Sequence, residues 1–130
     1  MLKGKQKYIF LFIWVSGIAY ASLSSPDRIP NLMLFPNADK VIHFLMYGGL
    51  SFFLVPVFVR NNSYRKSYVV SFVLSIVFGA LLEVLQSVIN TQRSAELLDF
   101  FANLLGSGSG ILFYHCAVRK RKIEKILFRT

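Results

Sequence analysis

The chain has 130 residues, of which 55 % are apolar and only 16 % charged, and its mean hydropathy is +0.53. That balance excludes an ordinary water-soluble domain of this length and indicates a membrane protein. A formal charge of +9 would suggest nucleic acid in a soluble chain, but the positions of the bases explain it without such a partner.

A bilayer core takes about 20 mostly apolar residues per helical span. Four stretches qualify, at residues 8–23, 41–59, 67–90 and 95–118. The expectation is an all-α membrane protein, one compact bundle of four transmembrane helices filling residues 1–130, with a basic cytoplasmic tail at 119–130. No internal repeat or low-complexity tract divides it. The first stretch, "MLKGKQK" followed by an apolar run and Ala19-Tyr20-Ala21, has the order of a cleavable secretory signal. Its apolar run reaches Leu23 without the polar region that usually precedes a cut, so it reads as helix one. Between helices one and two, residues 22–38 contain "IPNLMLFP", whose apolar side chains between Pro30 and Pro36 suit a membrane interface better than water.

Basic residues are retained on the cytoplasmic side. With alternating spans, Lys3, Lys5 and Lys7, then Arg60, Arg65 and Lys66, then Arg119, Lys120, Arg121, Lys122, Lys125 and Arg129 share one side, twelve of the 15 bases. Both termini are therefore expected in the cytoplasm. The opposite side and its helix ends hold Arg28, Lys40 and Arg93 against Asp27, Asp39, Glu83, Glu96 and Asp99, and Glu124 is the one acid left among the cytoplasmic bases. The excess charge is thus topological, and no nucleic-acid partner is called for. The tail reads first as a stop-transfer anchor, with contact to anionic headgroups as the alternative. Neither Cys116 nor His115 has a partner in sequence that suggests a disulfide or a zinc site, and no cofactor or metal is assigned.

Ionisable groups nevertheless stand inside the oily segment "GALLEVLQSVINTQRSAELLDFFANLLG" at 79–106. Descending each helix from the external border at about 1.5 Å per residue gives their depths. Asp39 and Lys40 fall at the rim of helix two behind an expected Asn37 cap, His43 at roughly 6 Å and Tyr47 at roughly 12 Å. On helix three Gln86 lies about 6 Å down and Glu83 about 10 Å; on helix four Asp99 lies roughly 6–8 Å down and Asn103 roughly 13 Å. Two layers result: His43, Gln86 and Asp99 above, Tyr47, Glu83 and Asn103 below. Within each helix the spacing of three or four places these residues on one face, together with Gly79, Asn90, Gly106 and Gly110. An ionised side chain alone in hydrocarbon costs at least about 2.5–3.5 kcal/mol. The three stripes should therefore turn inward and form a polar cluster, with Arg93 and Lys40 at its mouth.

The ordered set "DKVIHFLMYGGL", "GALLEVLQ", Arg93 and "LLDFFANLLGSGSG" resembles the VanZ-like family of small bacterial membrane proteins over residues 39–110. The resemblance highlights Asp39, Lys40, His43, Tyr47, Glu83, Gln86, Arg93, Asp99, Asn103 and Gly106. It implies a multi-pass protein of the bacterial cytoplasmic (inner) membrane with a cell-envelope role, the family name coming from a member linked to teicoplanin resistance. It does not imply a reaction.

Blander roles compete at individual positions. Asp27, Asp39 and Glu96 suit helix N-termini; Gly79, Gly106 and Gly110 suit helix packing; His43 alone would more often be a satisfied buried imidazole than a catalyst. Glu83 is the hardest to dismiss, because it lies deep and needs a cross-helix partner or a proton. The leading functional reading is non-catalytic engagement of an envelope lipid headgroup, a lipid-linked precursor or a glycopeptide-type antibiotic, with membrane lipids as partners. A second is a hydrolase or phosphatase acting on a lipid phosphate or lipid-linked ester, with His43, Glu83 and Asp99 as candidate catalytic groups and Arg93 stabilising charge. A third is a subunit of a larger envelope complex, partnered by another membrane protein. A transport path is disfavoured, since helix three offers little polarity toward the basic side.

Overall fold

The structure is a computed structural model that describes residues 4–24, 35–60, 63–89 and 97–128. Four helices in it are long and apolar enough to cross a membrane. They are α1 (Gln6–Leu23), α2 (Ala38–Phe58), α3 (Tyr64–Ile89) and α4 (Leu97–Phe113), the last running on through a π-helical turn at Tyr114–Val118. A short fifth helix, α5 (Lys122–Leu127), follows. The chain is a multi-pass, all-α membrane protein.

Cross-helix bonds fix the up-and-down order. Lys7 Nζ near the start of α1 donates to the Pro56 carbonyl near the end of α2, at 3.1 Å. Gln86 Nε2 near the end of α3 donates to the Ser22 carbonyl near the end of α1, at 2.7 Å. Tyr64 at the start of α3 meets Glu124 beyond α4. The starts of α2 and α4 therefore share an acid-rich end with the finishes of α1 and α3, while Lys5, Lys7, Arg65, Lys66 and the bases after α4 share the other.

α2 sits centrally, packed on α1, α3 and α4. Its contact with α4 is so close that a methyl group on Gly106 would be driven into the Phe44 carbonyl oxygen, and one on Gly110 into that of Gly48. Without water, helix association depends on such close packing and on short interhelical hydrogen bonds. Serines supply the bonds. Ser51 Oγ donates to the Ser107 carbonyl at 2.8 Å, Ser75 Oγ meets Ser107 Oγ at 2.8 Å, and Ser67 Oγ donates to the Val55 carbonyl at 2.6 Å. On α3 these residues belong to a row repeating every four positions, Ser67, Ser71, Ser75, Gly79 and Glu83, every member of it buried. Helix three is thus more polar toward the basic end than the sequence reading allowed. Around Ser67 and Ser75 that polarity serves the helix seam, bonded to backbone carbonyls and to Ser107.

Two local expectations change. Asn37 precedes α2 in a left-handed conformation with φ of 63° and makes no side-chain capping bond. The helix instead starts at Ala38, drawing Asp39 and Lys40 into its first turn. The tail does not simply trail from the membrane. Glu124 on α5 is buried, accepting from Tyr114 Oη at 2.6 Å, from Tyr64 Oη at 3.1 Å and from the Lys120 backbone N–H at 2.6 Å. Phe128 packs into the same small core with Val55, Tyr64, Tyr114 and Val118. Lys120 reaches this geometry through a left-handed φ of 57°.

Removing the Glu124 carboxylate leaves two buried phenols without their acceptor, each orphaned group costing about 1–3 kcal/mol. Glu124→Ala should therefore lower thermal stability and expose the tail to trypsin at Lys122 and Lys125, with Glu124→Gln intermediate. Unchanged protection of the tail in Glu124→Ala would show that the acid does not dock α5.

Candidate functional site

At the acid-rich end, three helices bring their polar residues together. α2 contributes Asp39, Lys40, His43 and Tyr47, which follow one another down one face over two turns. α3 contributes Glu83, the last member of its small-residue row. α4 contributes Asp99 in its first turn and Asn103 one turn deeper. No single helix could bury these groups alone; each is placed opposite the other two because their remaining faces are apolar and belong to lipid.

The site grades from wet to dry. Asp39 is at the rim with its side chain 58 % exposed, and it holds Lys40 Nζ at 2.6 Å. Lys40 also reaches Asp99 Oδ1 at 2.7 Å, linking the first turns of α2 and α4. One turn down, His43 Nδ1 donates to Asn103 Oδ1 at 3.1 Å and lies 3.8 Å from Glu83 Oε1. The floor is Asn103, 1 % exposed, and Tyr47, whose ring lies 6.2 Å from the His43 ring at an interplanar angle of 23°. Gly79 makes room for that floor: a methyl there would stand 3.0 Å from the Tyr47 ring and 3.1 Å from Asn103 Nδ2.

Satisfaction within this cluster is incomplete. Glu83, 8 % exposed, keeps Oε1 buried without a hydrogen-bond partner, and Asn103 Nδ2 is in the same condition. One ligand atom each from His43, Glu83 and Asp99 lies within 4.8 Å of the others. Among the described residues the site sets the carboxylates of Asp39, Glu83 and Asp99 against the single ammonium of Lys40. Such an arrangement can hold a cation, a hydroxyl-rich or ammonium-bearing headgroup, or a proton passed between His43 and Glu83.

Most of the residues expected at the cluster are there: Asp39, Lys40, His43, Tyr47, Glu83, Asp99 and Asn103. Gln86 is not among them. Its amide turns to the Ser22 carbonyl and ties α3 to α1, because its position on α3 is rotated away from the α2 and α4 seam. The expected separation into two layers is also softened, since His43 of the upper layer bonds directly to Asn103 of the lower. Arg93, Asn90, Glu96, Asp27 and most of the 22–38 loop lie outside the described residues. At the opposite end the sequence reading passed over Glu124 and His115. His115 Nδ1 is 3.1 Å from Tyr68 Oη and 3.2 Å from an Arg119 guanidinium nitrogen, and Arg119 lies 4.7 Å over the Tyr64 ring. A single acid in an otherwise basic run was the available signal.

An uncharacterized protein of Schizosaccharomyces pombe is 38 % identical over 126 residues, covering 94 % of this chain and 70 % of the relative. No solved structure matches the chain. The VanZ/LLP1 family matches residues 4–119, which takes in all four spans and every described residue of the cluster. The chain belongs to the VanZ/LLP1 family.

Proposed function

We propose that the acid-rich cluster is a binding site for the polar headgroup of a membrane lipid or lipid-linked molecule, entered from the rim at Asp39 and Lys40. The observation that carries this reading is the convergence of His43, Glu83, Asp99 and Asn103 inside the bundle with buried polar atoms still unpartnered. A purely structural polar knot would be expected to satisfy its own members, because an orphaned buried group costs about 1–3 kcal/mol. A site that awaits a ligand leaves them to it.

Two basic residues favour a phosphate on that headgroup. Lys40 is held in place by two carboxylates, and Arg93 follows α3 by four positions in sequence. The acids below suit hydroxyls or an amine on the same molecule. A relative in a yeast favours a headgroup chemistry common to bacterial and eukaryotic membranes over one peculiar to the bacterial cell wall. In this reading glycopeptide-type antibiotics are amphiphiles that compete for the same surface, and no bond is broken.

We also propose that the base-rich end faces the cytoplasm, from the distribution of Lys and Arg. Cys116, the one cysteine in the chain, is exposed near that end and reports on it. In intact cells a membrane-impermeant maleimide should leave Cys116 unlabelled until the membrane is opened; labelling from outside would reverse the orientation.

For the ligand, the measurement is thermal unfolding of the purified protein with phosphatidic acid against diacylglycerol, which lacks the phosphate. Phosphatidic acid should raise the midpoint by several degrees through preferential binding to the folded state. That gain should vanish in Lys40→Ala and Arg93→Ala. Equal stabilisation by both lipids, or a gain that survives both substitutions, would contradict the headgroup reading.

A further inference from the structure

The cluster's charge does not suit a phosphate unaided. Three carboxylates face one ammonium, and that ammonium is already shared between Asp39 and Asp99. A phosphate approaching Glu83 and Asp99 would meet like charge in a poorly screened site. What the described residues lack is a positive charge placed between α3 and α4, one turn below Lys40.

We propose that His43, Glu83 and Asp99 bind a divalent first-row metal ion, Mn2+ or Zn2+, and that this ion supplies that charge. The geometry is near that of a three-ligand site. The candidate ligand atoms already lie within 4.8 Å of one another, and bonds of about 2.0–2.2 Å to a common ion would draw them to roughly 3–3.5 Å apart. Movement on the order of 1 Å by three side chains from three helices closes the difference. Glu83 Oε1 is buried, without a hydrogen-bond partner, and 3.8 Å from His43 Nδ1.

Chemistry narrows the ion. One imidazole nitrogen with two carboxylate oxygens suits a borderline first-row cation, whereas Ca2+ takes about 6–8 oxygens and Mg2+ holds its water shell. Two bound carboxylates neutralise a divalent ion, which answers the penalty for leaving Glu83 and Asp99 charged in the membrane. Ligation through His43 Nε2 would leave the Nδ1–H bonded to Asn103 Oδ1, as outer partners of metal-bound histidines do.

Lys40 opposes the ion, because its ammonium lies 2.7 Å from Asp99 Oδ1. It has somewhere to go: Asp39, at 2.6 Å, can retain it at the rim while Asp99 turns to the metal. Three protein ligands leave coordination positions open, and their natural occupant is an oxygen of the headgroup phosphate. The phosphate part of the inference rests on the headgroup reading above; the ion's own site rests on the geometry of His43, Glu83 and Asp99.

The test is Mn2+ titration of the full-length protein, stripped with chelator in detergent, followed by electron paramagnetic resonance with Zn2+ as competitor. One ion per chain is expected. Glu83→Gln and His43→Ala should weaken it at least tenfold, and Asp99→Asn serves in the same way should either variant fail to fold. His115→Ala, at the opposite end, should leave binding unchanged, and Lys40→Met should tighten it several-fold. Absence of bound Mn2+ or competing Zn2+ at millimolar concentration overturns the inference, as does binding undiminished in Glu83→Gln and His43→Ala. Stabilisation by phosphatidic acid that persists in chelator with no ion bound overturns the metal and leaves the headgroup site standing. A bound ion without any lipid response supports the metal and removes the headgroup.

Discussion

Hydrocarbon cannot solvate a carboxylate or an imidazole, so each such group on a spanning helix must find its counterpart on another helix. In this protein that requirement sets the arrangement of three spans. Lys40 on α2 reaches Asp99 on α4, His43 on α2 reaches Asn103 on α4, and Glu83 on α3 closes toward His43. Rotating any one of these helices by a third of a turn would expose an ionisable group to acyl chains. The fold and the candidate site are therefore consequences of one constraint, in which the matching of polar stripes fixes how α2, α3 and α4 face one another.

Close approach is what lets short side chains meet. Gly48, Gly106 and Gly110 bring the α2 and α4 backbones together below the cluster, and the serines of α3 and α4 bond across the same seam. Dispersion and hydrogen bonds can act at that distance where a hydrophobic drive is absent. At the other end the solution differs: Glu124 gathers two tyrosine hydroxyls and a backbone N–H beneath an aromatic cluster. Buried polar atoms without a hydrogen-bond partner occur at both ends, Arg119 Nε at this one and Glu83 Oε1 with Asn103 Nδ2 at the other. What sets the acid-rich end apart is that ionisable groups from three helices converge there.

Depth and period made much of this legible from the residues alone. Counting along each helix gave the height of His43, Glu83, Asp99 and Asn103, and a spacing of four gave the shared face on each helix. Height along an axis does not fix rotation about it, and for that reason Gln86, at the right depth, points to α1 instead. The serine row at 67, 71 and 75 was visible at the same period as Gly79 and Glu83, but hydroxyls do not stand out against an apolar background, since each can satisfy itself on a nearby carbonyl. Glu124 was hidden for a different reason. A six-residue helix carries too little pattern to reveal that it folds back, and its burial depends on Tyr64 and Tyr114, distant in sequence or on another element. The Asn37 cap failed because a residue type favoured at helix starts adopted a left-handed backbone instead of offering its side chain.

The claim on which all of this depends is that α2, α3 and α4 meet through their polar residues. A double-mutant cycle on His43→Ala and Asn103→Ala, read as thermal or chemical unfolding in detergent, measures that meeting directly. The account predicts a coupling energy of about 0.5–3 kcal/mol, as found for groups in contact. Strict additivity of the two substitutions would mean that the side chains do not touch and would contradict the account.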